Sequence, residues 1–133
     1  MTTDKELKDV ARILVVDDAA ITRALLRGVL EKAGHTVVEA PDGDAGLAAF
    51  RERPADAAFV DIFMPGKEGL VTLRELLELA PRLPIVAISA GSTFTDTETL
   101  GWAKRYGAAE ALPKPLRAAD VLAVLDRLLG AKA

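Results

Sequence analysis

Five short apolar runs alternate with amphipathic stretches along this chain, and few architectures accept that order. The runs lie at 12–17, 36–40, 57–61, 84–89 and 109–113, each short enough for a strand. The first, third and fourth are almost continuously apolar, as parallel strands covered on both faces must be. The second, Thr36-Val37-Val38-Glu39-Ala40, is more polar and suits a place nearer the sheet edge. Strands alternating with helices of this length require crossover connections, which are right-handed and lay helices on both faces. The expected fold is α/β: a (βα)5 doubly wound, five-stranded parallel sheet.

The helical stretches carry their own punctuation. Ile21, Leu25, Leu26, Val29 and Leu30 recur at three- and four-residue spacing, and Gly34 supplies a stop. Asp42 or Asp44 can cap a second helix that runs to about Arg53 and meets Pro54. Leu70, Leu73, Leu76, Leu77 and Ala80 mark a third, ended by Pro81. Thr95 and Glu98 form a capping box for a fourth, which reaches Tyr106 and stops at Gly107. Val121, Leu122, Val124, Leu125, Leu128 and Leu129 mark the last. With 133 residues there is room for one domain, 1–133, with a core of about 12–129 and a lead-in over 1–11.

Composition narrows the function. Half of the chain is hydrophobic and 28% is charged, enough for a real core and a solvated surface. A net charge of −3 speaks against a nucleic-acid surface, which is usually basic. There is no cysteine, hence no disulfide framework and no thiolate metal site, which is compatible with a cytoplasmic location. The polar start, Met1 to Asp9, is unlike a signal peptide, and no apolar run approaches the ~18 residues a membrane helix needs.

In an open parallel sheet the carboxyl ends of the strands share one edge, where ligands bind. Asp17-Asp18, Asp61, Ser89 and Lys114 each stand at the end of an apolar run, so residues almost a hundred positions apart are expected to meet there. Paired acids after a strand are by themselves ordinary loop residues. Here Asp61 ends the third strand, next to the first in a doubly wound order, and three crowded carboxylates repel unless a cation offsets them. An all-oxygen site suits Mg²⁺ or Mn²⁺. His35, after Gly34, reads as a solvent-facing turn residue and argues for no zinc site. Lys114, between two prolines, can pair with Asp61 at rest and with a phosphoryl oxygen later, while Ser89 can donate to the same group.

These residues resemble a known family. Val16-Asp17-Asp18 with Arg23 five residues later, Asp61 to Gly69 (DIFMPGKEG), Ser89-Ala90, and Gly107-Ala108 followed by Lys114-Pro115 are similar to the receiver domain of two-component response regulators, from about Arg12 to Leu129. The resemblance implies a flavodoxin-like strand order 2-1-3-4-5 and a stand-alone signalling module. It is not an enzyme beyond its own phosphorylation and dephosphorylation. Asp61 is then the phosphoacceptor, attacking a phosphohistidine on a histidine kinase or phosphotransfer protein. Asp18 is implied as a direct metal ligand and Asp17 as one mainly through water. The backbone carbonyl of Phe63 is a further ligand. Ser89, Lys114 and the backbone N–H groups near Met64 and Ala90 are implied as holding the phosphoryl oxygens. The Lys114–Pro115 bond is implied to be cis. Output is expected on the face of the 95–106 helix, the fifth strand and the last helix, including Trp102, Arg105 and Ala111. Its target is an unknown output protein or a second copy of the chain.

One position departs from the pattern. The family commonly carries an aromatic residue three positions before its lysine, and here that position is Ala111. The switch therefore needs another moving part, such as Ala90 to Thr95, with Phe94, Trp102 or Tyr106 filling the space; the alternative is that Trp102 and Tyr106 are only core or boundary residues. Rival readings fit less well. A small aspartate-nucleophile phosphohydrolase would resemble Asp-x-Asp and carry a cap insertion. A flavodoxin-like cofactor binder would not place two acids in its phosphate loop. A degenerate scaffold would not retain all five site residues, and a receiver excised from a larger regulator or hybrid kinase stays open.

Overall fold

A computed structural model describes residues 10–62, 69–89, 101 and 104–130. Five strands, β1 (Arg12–Val16), β2 (Thr36–Ala40), β3 (Ala57–Asp61), β4 (Ile85–Ser89) and β5 (Glu110–Pro113), form one sheet in the order β2-β1-β3-β4-β5. Every pairing is parallel, with Ile13 opposite both Val37 and Ala57, and Asp61 opposite Ile88. The described helices are α1 (Ala20–Lys32), α2 (Gly43–Glu52), α3 (Gly69–Leu79) and α4 (Ala118–Gly130). Most of the expected 95–106 helix, with its capping box and the candidate switch segment, lies outside the described residues.

Alternation along the strands splits the core in two. Leu14, Val16, Ala58 and Val60 face α2 and α3, packing with Leu47, Phe50, Leu73 and Leu76. Ile13, Val15, Phe59 and Ile88 face α1 and α4, packing with Leu26, Leu30, Val121 and Leu125. β3 and β4 are buried along their whole lengths, which is why their sequences tolerate almost no polar residue before the last position.

Local signals close the helices as expected. Asp42 accepts a hydrogen bond from the Ala45 N–H (2.8 Å) and caps α2. Gly34, at φ 100°, turns the chain after α1: its N–H reaches the Glu31 carbonyl and the His35 N–H the Leu30 carbonyl, both at 3.0 Å. One expectation is corrected here. His35 is not a purely solvent-facing residue, because its Nδ1 accepts from the Ala11 N–H at 3.1 Å. The apolar stripe of α1 is also only half used: Leu26 and Leu30 are buried, whereas Ile21 is 84% exposed and Leu25 41%. The first turn of α1 stands at the carboxyl edge of the sheet, where Ile21, Thr22 and Leu25 face Pro115 and Leu116 across an open recess instead of the core.

Candidate functional site

The carboxyl edge of the sheet brings the acids together. Asp17 follows β1, and its N–H bonds the Ala40 carbonyl of β2 at 3.1 Å. Its Oδ1 accepts from the Ala19 N–H at 2.8 Å, an Asx-type turn that starts α1 without a capping side chain at Ala19. Asp18 is exposed at the tip of this turn. Asp61, the last residue of β3, is 3% exposed. Carboxylate oxygens of Asp17, Asp18 and Asp61 lie within 4.8 Å of one another.

Lys114 completes the set from the other side of the sheet. Its backbone N–H bonds the Ser89 carbonyl at 2.8 Å, and the following peptide bond to Pro115 is cis, as the resemblance implied. The ammonium lies 3.2 Å from Asp61 Oδ2, to which it donates a hydrogen bond, and 3.2 Å from Asp17 Oδ2. Asp17 Oδ2, a fully buried oxygen, therefore shares one ammonium with Asp61. Ser89 is buried at the end of β4, one residue beyond the partner of Asp61.

One ammonium against three carboxylates leaves the cluster short of positive charge. A hard divalent cation fits what is missing: an oxygen-only donor set, two buried carboxylates that share one ammonium, and an exposed third carboxylate at the mouth. Of the other implied site residues, Phe63, Met64, Ala90 and Trp102 lie outside the described residues. Ala111 is half-buried and packs against the core cluster on the α2–α3 side. Tyr106, offered as one filler for the missing ring, is 40% exposed, as a boundary residue is and a core residue is not.

Two residues that sequence reasoning left without a role border the site. The Arg23 guanidinium donates Nη1–H to the Asp17 carbonyl (2.7 Å) and Nε–H to Glu39 Oε1 (3.0 Å). Glu39 is held on its other oxygen by Arg27, and that hydrogen bond keeps its carboxyl below the usual carboxylate range, with burial opposing and Arg23 reinforcing. The signal was a charged residue on a half-buried strand and two arginines four apart on the facing helix.

Burial disfavours the Lys114 ammonium, but the charges of Asp61 and Asp17 outweigh it and raise its pKa above the ordinary lysine value. A raised folded-state pKa contributes stability that is complete below the unfolded value of about 10.4 and is lost as the pH climbs through the folded value. In metal-free urea unfolding, wild type should therefore exceed Lys114→Met by a constant margin from about pH 7 to about pH 10, and the margin should shrink above that. A margin that stays flat at higher pH would contradict this account of the ammonium.

Known proteins match most of the chain in sequence and in fold. The pattern that defines the response regulator receiver domain matches residues 13–126. The chain is 35% identical over 121 residues to protein PilH of Pseudomonas aeruginosa, covering 90% of this chain and 98% of that one. It is 30% identical over 119 residues to chemotaxis protein CheY of Thermotoga maritima, covering 88% and 96%. Among solved structures, the receiver domain of NtrX from Brucella abortus superposes with a TM-score of 0.82 at 38% identity, covering 89% of this chain and 98% of that chain. No helix among the described residues is long and apolar enough to cross a membrane.

Proposed function

The chain belongs to the response regulator receiver family, and from that premise we propose that it is a phosphoacceptor signalling module whose nucleophile is Asp61. The observation that carries this reading is the placement of the Lys114 ammonium 3.2 Å from the buried carboxylates of both Asp61 and Asp17. Ligands of open parallel sheets bind at this carboxyl edge, and charged groups that perturb one another there mark a functional site.

The reaction is transfer of a phosphoryl group from a phosphohistidine on a histidine kinase or phosphotransfer protein. An Asp61 carboxylate oxygen forms the new O–P bond while the donor N–P bond breaks; the imidazole nitrogen keeps the electron pair and takes up a proton. Lys114 exchanges its hydrogen bond to Asp61 for one to a phosphoryl oxygen, and the Ser89 hydroxyl donates to another. The backbone N–H groups near Met64 and Ala90 complete the cradle. Asp18 would hold Mg²⁺ or Mn²⁺ directly and Asp17 mainly through water, and Asp61 and the Phe63 carbonyl would be further ligands. The cation supplies neutralisation of the charge on the transferring group.

The unit that does this is the single domain 1–133, acting in the cytoplasm and catalysing only its own phosphorylation and dephosphorylation. Its output runs through the face of the 95–106 helix, β5 and α4, toward an output protein or a second copy of the chain. With alanine at 111, no ring locks either state, so the active-like population is sizeable before phosphorylation.

Incubation with Mg²⁺ and acetyl phosphate tests the reading. Intact mass should rise by one phosphoryl group, and chelation of the metal with EDTA should prevent it. A protein that stays unmodified with metal and donor in excess is not a phosphoacceptor.

A further inference from the structure

We propose that Arg23, fixed by Glu39, is a positioning residue that sets the cation affinity of the acidic turn from outside the ligand set. The inference rests on the reading of Asp17, Asp18 and Asp61 as a divalent-cation site. The turn at 17–19 must keep two like charges side by side, and repulsion between them and Asp61 drives it open. One of the bonds that hold it is its own, Ala19 N–H to Asp17 Oδ1, and one comes from β2, Asp17 N–H to the Ala40 carbonyl. The third is supplied from α1, where Arg23 donates to the Asp17 carbonyl at 2.7 Å.

That arginine is itself immobilised. Its Nε–H bonds Glu39 Oε1 at 3.0 Å, and the side chains of the pair are only 19% and 28% exposed. Glu39 sits opposite Val15 in the sheet register, and the next residue, Ala40, accepts the Asp17 N–H. The acidic turn is thus gripped at both backbone groups of Asp17: by β2 at the N–H, and by a guanidinium anchored on the same strand at the carbonyl. A planar guanidinium can serve both acceptors at fixed angles, and an ammonium cannot. Arg27 provides an internal comparison. It pairs with Glu39 and with Glu31, and its Nη2–H bonds the Val37 carbonyl, and none of these bonds reaches the turn.

Charge and geometry predict opposite signs, which makes the proposal testable. Removing a positive charge beside an acidic pocket should tighten cation binding if Arg23 acts only through its field. Releasing the turn should weaken it, and outer contacts of this kind typically cost tenfold or more in metal affinity. The experiment is calorimetric titration of the full chain with Mg²⁺ alone, with thermal melts of the metal-free proteins alongside. Arg23→Gln should bind Mg²⁺ about tenfold more weakly. Arg23→Lys, which keeps the charge and is the milder change if the glutamine variant fails to fold, should also bind more weakly than wild type. Arg27→Gln, which deletes the same charge from the same pair, should stay within about twofold of wild type, a difference worth under 0.5 kcal/mol at RT of about 0.6 kcal/mol. Wild-type affinity in Arg23→Lys, tighter binding in Arg23→Gln, or equal weakening in Arg27→Gln would each overturn the proposal. A wild type that takes up no Mg²⁺ would instead overturn the cation site itself.

Discussion

Asp61→Asn should take up no phosphoryl group under conditions in which the wild type gains one. The substitution keeps the shape of the side chain and removes only its charge and nucleophilic oxygen. Because Asp61 is 3% exposed among strands buried on both faces, a change of shape would confuse chemistry with packing, and this one does not. The fold should hold. Deleting one of three mutually repelling carboxylates relieves the cluster and leaves the Lys114 ammonium to Asp17. The metal-free melting temperature of Asp61→Asn should therefore match or exceed that of the wild type, so that lost labelling cannot be put down to unfolding. Peptide mapping that finds the phosphoryl group retained, on Asp17, Asp18 or elsewhere, would remove Asp61 from the nucleophile's place.

The sequence made the sheet readable because its three inner strands are buried on both faces and must be apolar throughout. Ile13 to Val16, Ala57 to Val60 and Ile85 to Ile88 have no polar face to blur the pattern. The acids of the site were legible for the same reason: a charge standing at the end of such a run, as Asp17 and Asp61 do, has no packing role to explain it. What misled was the surface. Ile21 and Leu25 share the helical period of Leu26 and Leu30, but periodicity marks a direction around the helix and not how far the sheet extends beneath it, so the first turn overhangs the edge. His35 and the grip of Arg23 on the acidic turn were hidden for another reason. The partners there, the Ala11 N–H and the Asp17 carbonyl, are backbone groups, which leave no trace in side-chain identity, unlike the Arg23–Glu39 pair.

Gly69→Ala should be among the most damaging single-atom additions this chain can receive. Gly69 opens α3, and a Cβ built there would lie 1.8 Å from the Asp61 carbonyl oxygen and 2.4 Å from the Ile62 Cα. Both are backbone atoms, so no rotamer change can yield. Either α3 must withdraw from the sheet, opening the packing of Leu73 and Leu76 against β3, or the end of β3 must move and carry Asp61 with it. Overpacking of a rigid site commonly costs about 1–3 kcal/mol, and a clash with main chain belongs at the upper end. For a domain of this size about 3 kcal/mol corresponds to a melting temperature lower by on the order of 10 °C. The functional loss should exceed the loss of folded protein. Asp61 is held 3.2 Å from Lys114 by the strand end that the methyl group displaces, so labelling by acetyl phosphate should slow even at temperatures where the variant is fully folded. Gly107→Ala is the contrasting case. Its Cβ would meet the Leu77 Cδ1 at 2.4 Å, the far end of a flexible side chain, and φ of 104° adds strain at a turn remote from the acids. That variant should lose stability while the folded fraction labels at the wild-type rate. If Gly69→Ala melts and labels like the wild type, the close approach of α3 to the Asp61 backbone does not position the nucleophile.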